Sequence, residues 1–330
     1  MQANVTNEHL CAICLNGDGN QVHHAREMMC GLRTPFQYLE CSLCGCLQLM
    51  DPPGDLAPFY PDDYYSFKPQ TSVLGWGIGI MDALKRVRGG AYFGRPSLLG
   101  NYLKAKFPRP ELDAISRTAV DRHSRILDVG CGSGKLLREL RELGFMILTG
   151  VDLFCPATTS PDGIDLRKGR VEDLLGTSWD LIMFHHSFEH VPNPVETLMV
   201  VRRLLAEKGE CLIRIPVVGW AWQHYGVNWA QLDAPRHFFL HSIESLGRVT
   251  NDAGLKIVKV EYDSTEYQFW GSELYAQDVS LTSIGSRNWE EMFNRKQVQD
   301  FRKKAMELNR QGRGDQAIFF LRPAFEESGS

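Results

Sequence analysis

The sequence predicts an α/β fold: a parallel sheet covered on both faces by helices, preceded by a small cysteine-bound module. Three observations predict it. Short apolar runs alternate with helical stretches of about ten to fifteen residues from about residue 110 onward. A glycine-rich turn follows the first of those runs, and six of the nine cysteines crowd into the first 46 residues.

The cysteines come first in the chain. Cys11-Ala12-Ile13-Cys14 and Cys41-Ser42-Leu43-Cys44-Gly45 form two C-x-x-C turns. Four thiolates at that spacing suit one closed tetrahedral zinc, with Cys30 and Cys46 as the alternative ligands. A closed four-sulfur site keeps no position for water, so the expected zinc is structural. The run Asp51-Pro52-Pro53-Gly54 and then Phe59-Tyr60-Pro61-Asp62-Asp63-Tyr64-Tyr65 reads as turns and extended chain, closing a module over residues 1–68.

Residues 69–110 read as a linker of short amphipathic pieces. From 82 to 125 there are ten Lys or Arg against four Asp or Glu, which implies a local basic face. Val73 to Lys106 could lie on a membrane surface. Its apolar pieces are short, so packing on the following domain is the preferred reading.

From 111 to 330 the strand pattern is Arg125–Val129, Met146–Val151, Ile164–Leu166, Leu181–Phe184 and Glu210–Ile215, with helices over Lys135–Leu143 and Asn193–Ala206. In the last of these Val195, Leu198, Met199, Arg202 and Leu205 trace the helical period. Two later strands fall at Leu255–Tyr262 and Gln316–Leu321. Within the insert between them, about 263–312, residues 285–310 are polar and lean to helix.

Composition removes several function classes. A net charge of −4 supplies no field to hold a polyanion, so nucleic acid is not an expected partner. The amino terminus lacks the basic head and apolar run of a secretory signal, and no apolar stretch approaches the ~18 residues of a bilayer crossing. A cytosolic protein is expected. Nothing in the pattern specifies an oligomeric state.

The strongest chemical signal is Ile126-Leu127-Asp128-Val129-Gly130-Cys131-Gly132-Ser133-Gly134-Lys135, a strand running into a glycine loop and then a helix. Glycines let the backbone approach a ligand closely, and a helix start offers free N–H groups to an anion. A dinucleotide site wants glycine where Lys135 stands. A P-loop wants glycine at Val129 and a hydroxyl at Leu136. What fits is G-x-G-x-G after a strand ending in an acid, with a second acid, Asp152, ending the next strand. A carboxylate there can accept both hydroxyls of a ribose.

Over roughly residues 110–262 the sequence thereby resembles the class I S-adenosylmethionine-dependent methyltransferases, which implies a Rossmann-like seven-stranded sheet. By that resemblance Gly130, Gly132 and Gly134 line the methionine part of S-adenosyl-L-methionine, Asp128 orients the loop and Asp152 holds the ribose. Val171 and Glu172 fall where the family places adenine contacts, and His185 lines the pocket. The segment His186-Ser187-Phe188-Glu189-His190 also spells the inverted zinc-protease pattern, but Pro192 and Pro194 deny the helix that pattern needs.

Methyl transfer is an in-line displacement, so the enzyme needs alignment plus removal of a proton from a poor nucleophile. His190 is the candidate base. After the fifth strand, Trp220, Trp222 and Trp229 beside Gln223, His224 and Asn228 form a surface of the kind that suits a sugar ring. The Arg236-His237 pair resembles a segment of methyltransferases in polysaccharide and deoxysugar pathways, as does the cysteine module with its tyrosines. That resemblance makes His237 a second candidate for proton transfer and implies an acceptor role for Tyr64 or Tyr65. Trp222 and Arg236 are expected to touch the acceptor, Arg236 through a carboxylate or phosphate.

The expected activity is O-methylation of a sugar nucleotide or glycan in polysaccharide biosynthesis. Carbon methylation of a nucleotide-linked ketodeoxysugar is the near alternative. A non-catalytic protein that retains the cofactor fold as a docking module is the alternative of another class.

Overall fold

The protein is described from a computed structural model, over residues 9–60, 76–155, 158–159, 163–284 and 288–324. Its elements run β1 (Gln21–Arg26), β2 (Pro35–Glu40), β3 (Leu47–Leu49), α1 (Trp76–Gly90), α2 (Leu98–Lys106) and α3 (Pro110–Ile115). There follow β4 (Arg125–Val129), α4 (Lys135–Glu142), β5 (Ile147–Asp152), β6 (Thr158–Thr159), β7 (Asp165–Lys168) and β8 (Trp179–His185). Next come α5 (Pro194–Leu204), β9 (Leu205–Pro216), α6 (Trp220–Tyr225), β10 (Phe239–Leu240) and α7 (Ile243–Asp252). The chain ends with β11 (Leu255–Tyr262), α8 (Tyr267–Ala276), α9 (Leu281–Ile284), α10 (Arg295–Arg310) and β12 (Gln316–Pro323).

The large sheet has eight strands in the order β11-β12-β9-β8-β4-β5-β7-β6, seven without the two-residue edge strand β6. β4, β5, β7 and β8 are parallel, in register Asp128↔Gly150, Asp128↔Met183 and Gly150↔Leu166. This is the α/β sheet that the alternation of strand and helix predicts. β4 matches its expected bounds. α5 stops at Leu204, shorter than expected, because β9 begins at Leu205 and runs twelve residues through the sheet.

The chain divides into two units, each made of three segments. The first holds the described residues of Met1–Pro61, His186–Leu198 and Arg214–Phe319; the second holds those of Asp62–His185, Met199–Ile213 and Phe320–Ser330. In the first, a four-stranded sheet runs β1-β2-β3-β10. β10, nearly two hundred residues later, closes that sheet by pairing with β3, Phe239↔Gln48 and Leu240↔Leu47. The cysteine module therefore shares one sheet with the segment after β9 and is not a free-standing domain. Its core joins Tyr38, Leu47 and Leu49 to Trp222, Trp229, Leu232 and Leu240.

The insert also resolves into this unit. Asn294 caps α10: its side chain accepts from Gln297 N at 3.0 Å and Gln297 Oε1 accepts from Asn294 N at 3.0 Å. Ala305 and Leu308 on α10 bury against Phe269 of α8, which fixes a helix whose sequence is otherwise polar.

In the second unit the expected linker packs on the sheet's helices. Glu139 of α4 is 11% exposed and takes Arg109 Nη1 at 2.5 Å and Arg88 Nη2 at 3.3 Å. At Gly89 a Cβ would meet Leu143 Cδ2 at 2.5 Å, so α1 passes close against the end of α4. A cavity of about 300 Å³, lined among others by Arg86, Arg95, Arg122 and Glu142, lies there. Arg122 precedes β4 and Glu142 ends α4, which puts this cavity at the opposite end of β4 from the glycine loop.

Candidate active site

In the second unit the glycine loop leaves the carboxyl end of β4. Gly130, Gly132 and Gly134 have φ of +77°, +52° and +75°, conformations that cost a side-chain-bearing residue and that glycine adopts freely. The loop is tied to its neighbour strand: Gly130 N donates to Val151 O at 2.8 Å, Cys131 N to the same oxygen at 3.4 Å, and Gly132 N to Asp152 Oδ2 at 3.0 Å. The other carboxylate oxygen of Asp152 accepts from Phe154 N at 2.7 Å and Cys155 N at 3.2 Å. Loop and acid are thus one backbone-built assembly, with Asp152 aimed by three N–H groups.

Asp128 is buried, and burial together with the charge of Asp152 raises its carboxyl to about 7. His185 follows Phe184, the register partner of Val129, so it stands level with the start of the loop. Val171 is buried and Glu172 exposed, on a short 3-10 turn after β7. These eight residues lie at or just beyond the carboxyl ends of parallel strands, where open α/β sheets bind ligands.

The first unit holds two clusters. Near its amino terminus Cys11, Cys14, Cys41 and Cys44 place their sulfurs within 4.8 Å of one another. Cys14 Sγ lies 3.4 Å from Cys41 Sγ, and Cys11 Sγ 3.7 Å from Cys44 Sγ. A tetrahedral zinc with bonds of about 2.3 Å sets its sulfurs roughly 3.8 Å apart, so the donor set fits. Each turn ends in a left-handed residue, Leu15 (φ 59°) and Gly45 (φ 66°), whose N–H returns to the carbonyl of the first cysteine. Cys30 and Cys46 are outside this cluster: Cys46 is buried with its sulfur toward Leu47 O, and Cys30 lies toward Arg236.

The second cluster gathers around Glu189. His190 Nδ1 is 2.8 Å from Arg236 O, His237 Nδ1 is 2.9 Å from Gln231 O, and the two rings meet edge to face with centroids 4.8 Å apart. Glu189 is buried; His186 Nδ1 lies 3.5 Å and His237 Nε2 3.9 Å from its Oε1. Burial pushes the Glu189 carboxyl up, but the surrounding His186, His190 and His237 outweigh it and hold it at about 2. Burial pushes His237 down to about 4 against the pull of Asp233. At neutral pH the cluster is an anion beside a neutral imidazole. His186 (φ 53°) and Asp233 (φ 45°) carry the left-handed backbone that positions it.

Two residues expected to touch the acceptor are buried. Arg236 has no exposed surface. Its guanidinium is taken up by Asp233 (Nε to Oδ2, 2.9 Å), Glu27 (Nη2 to Oε1, 3.1 Å) and Phe59 O (Nη1, 2.7 Å). Burial leaves it nothing to offer an outside anion. Trp222 is 5% exposed and donates its indole N–H to Glu40 Oε1 at 3.0 Å, within the core of the small sheet. Trp229 is likewise buried, donating to Asp315 Oδ2 at 2.9 Å. Both indoles belong to the core of the small sheet. Tyr64 and Tyr65 lie outside the described residues.

Glu189, Asp233 and Glu27 were not picked out as site residues from the sequence. For Glu189 a signal existed in its flanking histidines. The 3-10 turn Phe188–His190 and the break at Val191 keep His186 and His190 off a common helix face.

Residues 102–260 match a family model described as a methyltransferase domain. The chain carries a class I S-adenosylmethionine-dependent methyltransferase domain. It is similar to the ubiquinone biosynthesis O-methyltransferase of Nitrosospira multiformis, 29% identical over 177 residues that make up 46% of this chain and 73% of that protein. The protein of the same name from Nitrosococcus oceani is 38% identical over 110 residues, 30% of this chain and 46% of its own length. Among solved structures, the S-adenosylmethionine-dependent methyltransferase from Mesorhizobium loti is 18% identical with a TM-score of 0.42, covering 65% of this chain and 98% of that one. Neither named relative is described as acting on a sugar or glycan. Among the described residues no helix is long and apolar enough to cross a membrane.

Proposed function

We propose that this methyltransferase moves the methyl group of S-adenosyl-L-methionine to a hydroxyl oxygen of a small-molecule acceptor, with His190 or His237 taking the proton. The observation that carries the reading is the bond between Gly132 N and Asp152, which welds the glycine loop to the acid that would receive the ribose. Gly130, Gly134, Asp128, Val171, Glu172 and His185 complete the proposed cofactor set. Transfer converts the sulfonium to a thioether and leaves the acceptor as its methyl ether, its hydroxyl proton passing to an imidazole Nε2. Both histidines are arranged for this: each has Nδ1 against a carbonyl, so Nδ1 carries the proton and Nε2 presents its lone pair.

Oxygen transfer agrees with the names of the two relatives. The sugar nucleotide or glycan acceptor rests on the resemblance of the cysteine module and of the Arg236-His237 segment, with Arg236 and Trp222 themselves buried. A phenolic ring, as the relatives' names suggest, is the competing acceptor. We also propose that Cys11, Cys14, Cys41 and Cys44 hold a structural zinc that fixes both turns.

The test is calorimetry with S-adenosyl-L-methionine, then product mass after incubation with sugar nucleotides and, separately, with prenylated catechols. A gain of one methyl on oxygen in either panel supports the reading and names the acceptor class. Cofactor binding without mass gain would instead favour a docking protein, and a methyl on carbon the ketosugar alternative. In the same assay His190→Gln should slow transfer by roughly 10²–10⁴-fold while leaving cofactor affinity unchanged.

A further inference from the structure

We infer that Glu189, His190 and His237 form a divalent-cation site separate from the four cysteines, taking a zinc-like transition metal through two imidazole Nε2 atoms and one carboxylate oxygen. One ring nitrogen of each histidine and a carboxylate oxygen of Glu189 lie within 4.8 Å of one another. Two imidazoles and a carboxylate are the donor set that zinc and its first-row neighbours favour.

Three features argue for a built site. The first is the direction of the rings. Arg236 O and Gln231 O accept from Nδ1 of His190 and His237, which turns both Nε2 lone pairs away from the backbone. Histidines that bind metals are held in this way by an outer partner. The second is Glu189. Its side chain is 1% exposed, and neither of its buried oxygens has a hydrogen-bond partner among the described residues. His186 Nδ1 at 3.5 Å and His237 Nε2 at 3.9 Å stand off from this buried anion, and a cation between the ligand atoms would neutralise it directly.

The third is that the neighbouring charges are committed elsewhere. Arg236 is engaged by Asp233, Glu27 and Phe59 O. Arg214 donates from Nη1 to His186 Nε2 at 2.6 Å and from Nε to Asp263 Oδ2 at 2.6 Å. His186 is thereby excluded as a ligand through Nε2, and its protonated Nδ1 faces Glu189. Two ligands on one tetrahedral zinc sit roughly 3.4 Å apart. His237 Nε2 and Glu189 Oε1, at 3.9 Å, are within a small side-chain adjustment of that spacing. His190 is half-buried, so one side of the site stays open for water or an acceptor oxygen, as in sites that keep a free coordination position.

The consequence for catalysis, unlike the binding itself, rests on the histidine-base reading above. A cation on both Nε2 atoms occupies the lone pairs that would take the acceptor's proton. Loading the site therefore suppresses methyl transfer, and removing the metal restores it.

The experiment titrates the full-length chain, prepared with one equivalent of zinc, with Co2+ alone, and follows bound metal by equilibrium dialysis with elemental analysis and by visible spectra. Wild type should take up a second equivalent without new thiolate-to-cobalt bands. Glu189→Gln and His237→Gln should each weaken that equivalent by at least about 100-fold while keeping the first. Wild-type-like binding of S-adenosyl-L-methionine and an unchanged circular dichroism spectrum establish that the variants are folded. A second equivalent absent from wild type, or undiminished in both variants, overturns the cation site and leaves the base reading untouched. A second equivalent that binds as described but raises transfer keeps the site and overturns the base reading.

Discussion

Two buried carboxylates, one in each unit, are driven in opposite directions by what surrounds them. Asp128, at the carboxyl end of β4, has burial and a second acid for company and rises to about 7. Glu189 is equally buried, but three imidazoles outweigh burial and hold it at about 2. The first belongs to an assembly of backbone: a glycine loop whose N–H groups grip Asp152. The second belongs to an assembly of side chains gathered from residues 27, 186–190 and 231–237. A backbone assembly is built by local conformation, whereas a side-chain assembly exists only once distant segments have packed. The comparison predicts where each can be broken.

The largest effect should come from Arg236→Met. Removing the guanidinium leaves Asp233 and Glu27 buried without their cation, and breaking such a network typically costs about 3–5 kcal/mol. Denaturant unfolding measures it, and a change below about 1 kcal/mol would show that Arg236 is not what joins these segments. Asp152→Ala should come next. It removes the acceptor of Gly132 N and the proposed ribose contact together, a loss of about 3 kcal/mol or roughly 100-fold in cofactor affinity by calorimetry. Unchanged affinity would separate the loop from the cofactor altogether.

The pH dependence sharpens the comparison. His237 has a folded-state pKa lowered from 6.5 to about 4, so the folded state favours the neutral ring. Its contribution to stability is complete above 6.5 and is lost as pH falls toward 4. The loss over that window should be on the order of 3 kcal/mol and should shrink in His237→Gln. Asp128 works the other way: its folded pKa is raised from 3.8 to about 7, so stability falls as pH rises through that window. Unfolding free energies of wild type and His237→Gln at pH 7, 5.5 and 4 test the first of these; parallel curves would place His237 in water. The smallest effect belongs to Trp222→Phe, which keeps the ring in the core and loses one hydrogen bond to Glu40, about 1 kcal/mol. If that substitution instead raised the Michaelis constant for an acceptor with stability intact, the indole would have to be returned to the acceptor surface.

What was legible in the sequence follows the same division. β4, the glycine loop, α4 and Asp152 are contiguous or nearly so, and their residues are dictated by local needs: alternate glycines for positive φ, and an acid at a strand end. The two cysteine turns were legible for that reason too. The small sheet was not, because β10 pairs with β3 across most of the chain and two residues of strand leave no period to read. The burial of Arg236 and Trp222 was not legible because residue type cannot tell a polar-tipped side chain at a surface from one whose polar tip has found a buried partner.

The sequence by itself determined the alternation of strand and helix from β4 to α5, the glycine loop with its paired acid, and the four sulfurs. All of these rest on interactions between near neighbours or on backbone conformations only particular residues adopt. Only the tertiary structure decided that the cysteine turns and the segment after β9 share a sheet, that Arg236 is locked between Asp233 and Glu27, and that His186 and His237 close on Glu189. Burial and partner choice arise when segments far apart in the chain exclude water between them, and no local pattern records which segments those will be.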